Sequence, residues 1–217
     1  MTDQTAIFAP AGARASTATI FGQVMFLVAI AIGFLALGTY VGRDLAPGTA
    51  FIISLGGFGM LLVSSFAGRQ FRVGPFAMGW LFATSLVIGV GLGPTLNNYF
   101  ATDPTAVTQA AGGTALIVAG MGSLGFILSK DLSPWMRPLS FIVFGAVIVS
   151  LGLALFSSGG NPVISIIILG VSALLIMVDF NYVRKHATED DVVWLATGIF
   201  VSIVNIFLSL LNLFGNR

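Results

Sequence analysis

Residues 192–214 have the sequence VVWLATGIFVSIVNIFLSLLNLF, which contains no charged side chain. At 1.5 Å per residue, a helix of this length crosses the roughly 30 Å hydrocarbon core of a bilayer. An uncharged apolar run as long as this one is typical of a helix that spans a membrane. The stretch therefore predicts a transmembrane helix.

The composition places the whole 217-residue chain in the same class. Hydrophobic residues make up 57% of it, 27 residues are glycine, only 8% are charged, and the mean hydropathy is +1.02. Soluble domains carry about 25% charged residues, and disordered chains need low hydrophobicity and high charge. The composition predicts an all-α integral membrane protein.

Charge and residue counts exclude several kinds of site. A net charge of +1 argues against a general affinity for nucleic acid. Because the chain has no cysteine and a single histidine, His186, it cannot form a thiolate site or a site of several imidazoles. It contains no P-loop, nucleophile elbow or HExxH motif. We predict no catalytic residue, no cofactor and no metal site, and hence no enzyme.

Seven segments are apolar and long enough to span a membrane. Between them lie charges, prolines and glycines. Ser133-Pro134 and Asn161-Pro162 place a capping side chain before a proline, and Thr188 precedes Asp191 at the distance of a capping box, so each marks a helix start. The predicted spans are 21–41, 48–67, 74–94, 106–128, 138–157, 162–181 and 192–214.

The basic residues of the short loops predict the orientation. One side carries seven of them and the other only Arg43 and Arg217; the seven are Arg14, Arg69, Arg72, Lys130, Arg137, Arg184 and Lys185. The predicted N-terminus is inside and the C-terminus outside. Residues 1–20 form a mobile cytoplasmic tail in this prediction, and residues 21–215 form one seven-helix domain.

Two glycine patterns predict close helix packing. Gly38-x-x-x-Gly42 and Gly89-x-x-x-Gly93 have the small-residue spacing that lets helices approach in lipid, either within the chain or between two copies. Residues 120–125 match a dinucleotide fingerprint, but they lie inside an apolar span without a βαβ unit around them. Tight packing is the favoured interpretation there.

Asp179 is the one aspartate within a predicted span, near the inner end of helix six. Polar groups inside a membrane are costly and commonly functional. Two interpretations have equal weight. In the first, an interfacial carboxylate reaches water or pairs with Arg184, Lys185 or Arg69. In the second, a buried proton-responsive residue lies on an ion path.

Helix seven carries a stripe of polar side chains. Ser202, Asn205, Ser209 and Asn212 recur at spacings of 3, 4 and 3, so they share one helical face. Because such a face is poorly placed against lipid, we expect it to contact other helices. Interhelical hydrogen bonding is favoured over a conduction path, and the two roles are compatible.

Glu189, Asp190 and Asp191 precede helix seven. Negative charge complements the helix N-terminus, which explains these residues without a ligand. Carboxylate oxygens also suit calcium, but the sequence lacks a spaced ligand loop. Asn97, Asn98 and Asp103 are interpreted as loop residues on the outer side.

Three stretches resemble the Bax-inhibitor family, and within it the bacterial YccA-type branch. They are Leu92–Tyr99 (LGPTLNNY), Gly112–Leu116 (GGTAL) with Lys130–Ser133 (KDLS), and Ser202–Gly215 (SIVNIFLSLLNLFG). The resemblance is clear over helices three to seven and rests mainly on pattern in helices one and two. It implies a seven-helix Bax-inhibitor-like fold with helix seven central and the other six around it.

The resemblance implies two functions. Some members of the family are pH-sensitive calcium leaks in which an aspartate pair on helices six and seven senses protons. Asp179 matches the first aspartate, but Ser202 occupies the second position and cannot ionise. The YccA-type branch instead implies a modulator that binds a membrane-anchored ATP-dependent zinc protease through its N-terminal tail.

We therefore expect a multi-pass protein of the bacterial cytoplasmic (inner) membrane that regulates membrane-protein quality control through such a protease. The alternative is a pH-sensitive calcium leak, with Asp179, Ser202, Asn205 and Arg69 on its proton-sensing ion path. The implied partners are the lipid bilayer, the protease and, in the alternative, Ca²⁺.

Overall fold

The computed structural model describes residues 16–66, 68–156 and 161–215, and within these ranges it contains seven long helices and no strand. Each helix is long and apolar enough to cross a membrane, which confirms the seven predicted spans. The helices are α1 Thr17–Gly42, α2 Pro47–Phe66, α3 Pro75–Thr102, α4 Pro104–Ile127, α5 Ser133–Phe156, α6 Pro162–Lys185 and α7 Val192–Gly215. Of the predicted tail 1–20, residues 1–15 lie outside the described residues. Residues 17–20 belong to α1.

Local capping chemistry sets several helix starts as predicted. The Asn161 side chain accepts hydrogen bonds from the backbone N–H groups of Val163 (2.9 Å) and Ile164 (3.4 Å), and Pro162 opens α6. Thr188 and Asp191 form the capping box on the short 3₁₀ turn before α7. Prolines and capping residues therefore define these boundaries from sequence.

The prediction of a loop over residues 97–104 is wrong for Asn97 and Asn98. Helix α3 continues through Pro94 to Thr102, and both asparagines are exposed on it. Proline is tolerated in membrane helices because neighbouring groups satisfy the freed carbonyls. Asp103 alone joins α3 to α4, and its carboxylate caps α4 by accepting from the Ala106 N–H at 3.0 Å.

The four glycines of the two G-x-x-x-G motifs pack α1 against α3. A Cβ atom added to Gly38 would overlap the Leu86 carbonyl oxygen, and one added to Gly89 would overlap the Leu35 carbonyl oxygen. Gly42 and Gly93 face each other in the same way. All four are buried within one chain, so they do not form a surface for a second copy. Close helix approach is confirmed, and the dimer interpretation is wrong.

Gly122 and Gly125, within residues 120–125, also serve packing. A Cβ atom on Gly122 would meet the Phe180 ring, and one on Gly125 would overlap the Met177 carbonyl oxygen of α6. The formal match to a dinucleotide fingerprint therefore reflects contact between α4 and α6.

Helix α7 lies at the centre of the bundle, as expected. It packs against α1, α4 and α6 and more lightly against α3. Helix α2 packs on α3, and α5 packs on α6. The rings of Phe58 on α2 and Phe144 on α5 stack with centroids 5.2 Å apart and close the bundle on the remaining side. Behind this pair, a cavity separates α2 and α5 from α7.

Candidate functional site

The cavity between α2, α5, α6 and α7 has a volume of about 230 Å³ and contains three of the four predicted site residues. Asp179 enters it from α6, and Ser202 and Asn205 enter it from the polar face of α7. Most of the remaining wall is apolar or aromatic; it includes Phe58, Leu61, Phe71, Val143, Phe144, Val147, Leu175, Trp194, Leu195 and Val201. A few polar groups therefore converge inside an apolar enclosure, which is the usual character of a ligand or ion site.

Asp179 is 6% exposed and faces α7 across the cavity. Its Oδ2 atom lies 3.6 Å from the position that a Cβ atom would take on Gly198. Within the described residues, no ion pair and no hydrogen bond reaches its carboxylate. The interpretation of Asp179 as an interfacial residue paired with an arginine or lysine is wrong, because its helix turns it away from the loops and into the bundle.

The polar stripe of α7 divides into two functions. Near the C-terminal end of α7, Asn212 Oδ1 accepts a hydrogen bond from Ser165 Oγ of α6 at 3.3 Å, which is the interhelical bonding expected. Ser202 and Asn205 instead line the cavity, and Ser202 is 3% exposed. The stripe is therefore structural near one membrane surface and lines an internal space nearer the other.

Arg69 does not join Asp179. Its guanidinium donates to Asp190 Oδ2 at 2.7 Å, and both side chains are largely exposed. This ion pair ties the short 3₁₀ turn Arg69–Phe71 to the turn before α7. Arg69 was predicted as a possible partner of Asp179 because the sequence does not show which loops contact each other in the folded chain.

A wider vestibule of about 1,090 Å³ adjoins the cavity at the arginine-rich end of the bundle. The vestibule and the cavity share six lining residues, which are Ser65, Arg72, Met136, Ser140, Phe144 and Trp194. Four charged residues line the vestibule but not the cavity; they are Arg69, Arg137, Asp190 and Asp191. The predicted site therefore adjoins a wider space that is lined by charged groups.

Arg72 is the residue at this junction that sequence analysis did not single out. It lines both spaces, and its guanidinium donates to the Ser65 carbonyl oxygen at the end of α2, 2.5 Å away. The sequence does not show that a basic loop residue lines a cavity, because the course of the loop over the bundle depends on tertiary packing.

Asn181 is a second residue that the sequence does not mark as important. It is fully buried, and its amide nitrogen lies 3.0–3.2 Å from the carbonyl oxygens of Gly125, Leu128 and Lys130. Its Oδ1 accepts from the Leu132 N–H at 2.9 Å. One side chain thus holds the end of α4 and the loop to α5 against α6, two residues from Asp179.

The same loop is fixed by charge. Asp131 contacts His186 Nε2 at 2.9 Å and accepts from the Ser133 N–H. That backbone hydrogen bond, together with one from the Ser133 hydroxyl and the contact with His186, lowers the pKa of the Asp131 carboxyl. Arg184 donates to the Leu128 carbonyl oxygen at 2.6 Å, and Lys185 contacts the Ser129 carbonyl oxygen. These bonds place the basic loops together at one end.

The acidic run serves the helix start. Asp191 closes the capping box with Thr188, and Asp190 pairs with Arg69. Among the described residues, no group of three or more histidine, aspartate or glutamate side chains is arranged to hold a metal ion.

Comparison with known proteins identifies relatives of similar sequence. The chain is 29% identical over 203 residues to an uncharacterized protein of Pseudomonas aeruginosa, covering 87% of this chain and 85% of the relative. It is 25% identical over 209 residues to the modulator of FtsH protease YccA of Escherichia coli K12, covering 92% and 91%. An uncharacterized protein of Helicobacter pylori is 28% identical over 138 residues, covering 62% and 59%.

The family described as inhibitor of apoptosis-promoting Bax1 matches residues 17–217, which include all seven helices. The match confirms the resemblance found in helices three to seven and extends it to α1 and α2. The chain is therefore a multi-pass membrane protein that belongs to the Bax-inhibitor family.

Proposed function

We propose that this protein regulates proteolysis in the bacterial inner membrane by binding and modulating a membrane-anchored ATP-dependent zinc protease of the FtsH kind. The observation that carries the proposal is the match to YccA, a protein named as a modulator of FtsH protease, over 92% of the chain. Another Escherichia coli relative of equal identity is named inner membrane protein YccA, which supports the location.

The loop charges supply the orientation in this proposal. Four basic residues in the loops and adjoining helix ends lie at the end of the bundle where α1 begins; they are Arg69, Lys130, Arg137 and Arg184. By the positive-inside rule this end faces the cytoplasm. The residues ahead of Ser16 then enter the cytoplasm, where the protease engages them.

The tail is tested by deleting residues 2–15. This deletion keeps Ser16, whose hydroxyl caps α1 by accepting from the Thr19 N–H at 3.2 Å. The shortened protein should fold and insert normally but lose copurification with the protease. A matched control replaces residues 2–15 with a Gly/Ser segment of equal length, which should also lose binding. Retained binding by both variants would remove the tail from the mechanism.

A pH-sensitive cation leak is the second candidate, and the cavity is the observation that favours it. Asp179, Ser202 and Asn205 share one internal space that joins the vestibule. Arg72 is the other charged residue on the cavity wall among those described. If this candidate is right, vesicles holding the purified protein pass calcium in a manner that depends on pH between about 6 and 8.

Asp179→Asn tests the leak because asparagine keeps the shape and removes the charge. The leak candidate predicts that the variant loses its pH dependence, while Asp190→Asn in the vestibule keeps it. Flux no greater than that of empty vesicles, with folded protein confirmed, would refute conduction.

A further inference from the structure

We propose that the cavity binds a small protonated amine with a single-ring apolar body, whose ammonium group pairs with Asp179. This proposal goes beyond protease regulation and does not depend on it. Four properties of the cavity carry it: an unpaired carboxylate, aromatic walls, a suitable size and a route of entry.

The carboxylate needs a partner that the described chain does not supply. Asp179 is 6% exposed, and none of the described ion pairs includes it. A buried charge is costly unless it is paired and hydrogen-bonded. Arg72 is the one cationic residue on the described cavity wall, and its guanidinium is committed to the Ser65 carbonyl oxygen. An ammonium group that enters the cavity can supply the missing charge and donors.

The walls suit an organic cation with an apolar body. The rings of Phe58, Phe71, Phe144 and Trp194 line the cavity. Aromatic faces attract cations, and the attraction increases when water is excluded. Apolar side chains from α5, α6 and α7 complete the enclosure and would cover the body of the ligand. Ser202 and Asn205 add hydrogen-bond acceptors to the cavity wall.

The volume fits one ring with a short amino-alkyl arm. An engineered apolar cavity of about 150 Å³ is known to hold benzene. The cavity here measures about 230 Å³, which leaves room for two or three additional heavy atoms. The vestibule of about 1,090 Å³ offers a path from the arginine-rich end.

Calcium fits the same space less well. It takes six to eight oxygen ligands and prefers several carboxylates. The cavity offers one carboxylate with hydroxyl and amide groups, and no set of three acidic or histidine side chains gathers among the described residues. One negative charge matches a monovalent ammonium.

The test measures binding of phenethylamine and of phenethyl alcohol to the full-length protein in detergent at pH 7 by calorimetry. The two probes share a ring and arm but differ in charge. We expect the amine to bind about tenfold more tightly or better, since hydrogen bonds to charged groups exceed neutral ones by that factor. Equal affinities, or no binding of the amine up to its solubility limit, would overturn the proposal.

Three variants locate the site. Asp179→Asn should abolish the preference for the amine. The control is Asp131→Asn, which removes an exposed carboxylate at the arginine-rich end and should keep the preference. Gly198→Leu should abolish binding of both probes because the leucine side chain would fill the cavity. If a Cβ atom is added to Gly198, Asp179 Oδ2 is the one atom within 4 Å of it among the described residues. Replacing a helical glycine by leucine favours the helix, so this variant tests the site even if Asp179→Asn fails to fold. A preserved preference in either Asp179→Asn or Gly198→Leu would place the amine elsewhere.

Discussion

At the scale of single residues, Asn181 and Asp179 show how differently two neighbouring polar side chains can be used. Asn181 is saturated: its amide meets three backbone carbonyl oxygens and one backbone N–H. Asp179 has no such partner among the described residues and faces a cavity. A saturated polar side chain specifies structure, whereas an unsatisfied one beside an open space is available for a ligand.

Replacing Asn181 by alanine should destabilise the fold. Buried carbonyl oxygens and one N–H would lose their partner, and each unsatisfied buried group costs about 1–3 kcal/mol. The Leu128 carbonyl oxygen keeps its hydrogen bond from Arg184 and Lys130 is exposed to water, so two buried groups remain unsatisfied. We expect these two groups to cost about 2–6 kcal/mol in total, measured by unfolding in detergent. Asn98→Ala, on an exposed position of α3, is the matched control and should change stability little. Equal stability of the two variants would contradict the role given to Asn181.

Asp131 predicts a pH dependence. Its pKa lies below the usual value of 3.8 because the Ser133 N–H hydrogen-bonds the carboxylate. The stabilisation from this group is therefore present above pH 3.8 and is lost as the pH falls through the lower folded value. Asp131→Asn should lower the thermal midpoint slightly at pH 6, with the difference from wild type vanishing in stronger acid. A difference that grew in acid would contradict the assignment.

At the scale of helices, the contact between α1 and α3 depends on glycine. Gly38→Leu should destabilise the bundle because its Cβ would overlap the Leu86 carbonyl oxygen. Overpacking of this kind costs about 1–3 kcal/mol or more. Gly33→Leu on the same helix should be tolerated, because a Cβ atom added to Gly33 would have no described atom within 4 Å. Thermal unfolding of both variants checks this, and equal midpoints would mean that the two helices separate easily.

Elements were predictable where their causes are local. Asn161-Pro162 and Thr188 with Asp191 mark helix starts because the capping partners lie within three residues. The prolongation of α3 past Pro94 was missed because a proline's effect depends on the helices around it. The cavity was not predictable either, since it arises where α2 and α5 stand away from α7. The polar stripe indicated only that one face of α7 avoids lipid.

At the scale of the whole molecule, the pairing of loops divides the bundle into two distinct ends. Arg69 binds Asp190, and His186 contacts Asp131, so three loops meet at the arginine-rich end. The opposite end carries the Arg43–Asp44 pair and the single-residue junction Asp103. Arg69, Arg137, Asp190 and Asp191 of the first end line the vestibule, so orientation decides which compartment the vestibule adjoins.

The absence of cysteine makes orientation directly measurable. Single cysteines placed by Ser129→Cys and Asp44→Cys should respond oppositely to a membrane-impermeant maleimide added to intact spheroplasts. Asp44→Cys should be labelled and Ser129→Cys should be labelled only after lysis. The reverse pattern would put the arginine-rich end outside and remove the cytoplasmic tail from the proposed mechanism.

The most direct test of the central claim is the rate at which the FtsH protease degrades a membrane substrate in vesicles, with and without this protein. We expect full-length protein to change the rate, and protein lacking residues 2–15 to leave it unaltered. An unchanged rate with full-length, folded and correctly oriented protein in the same vesicles would contradict the regulatory function.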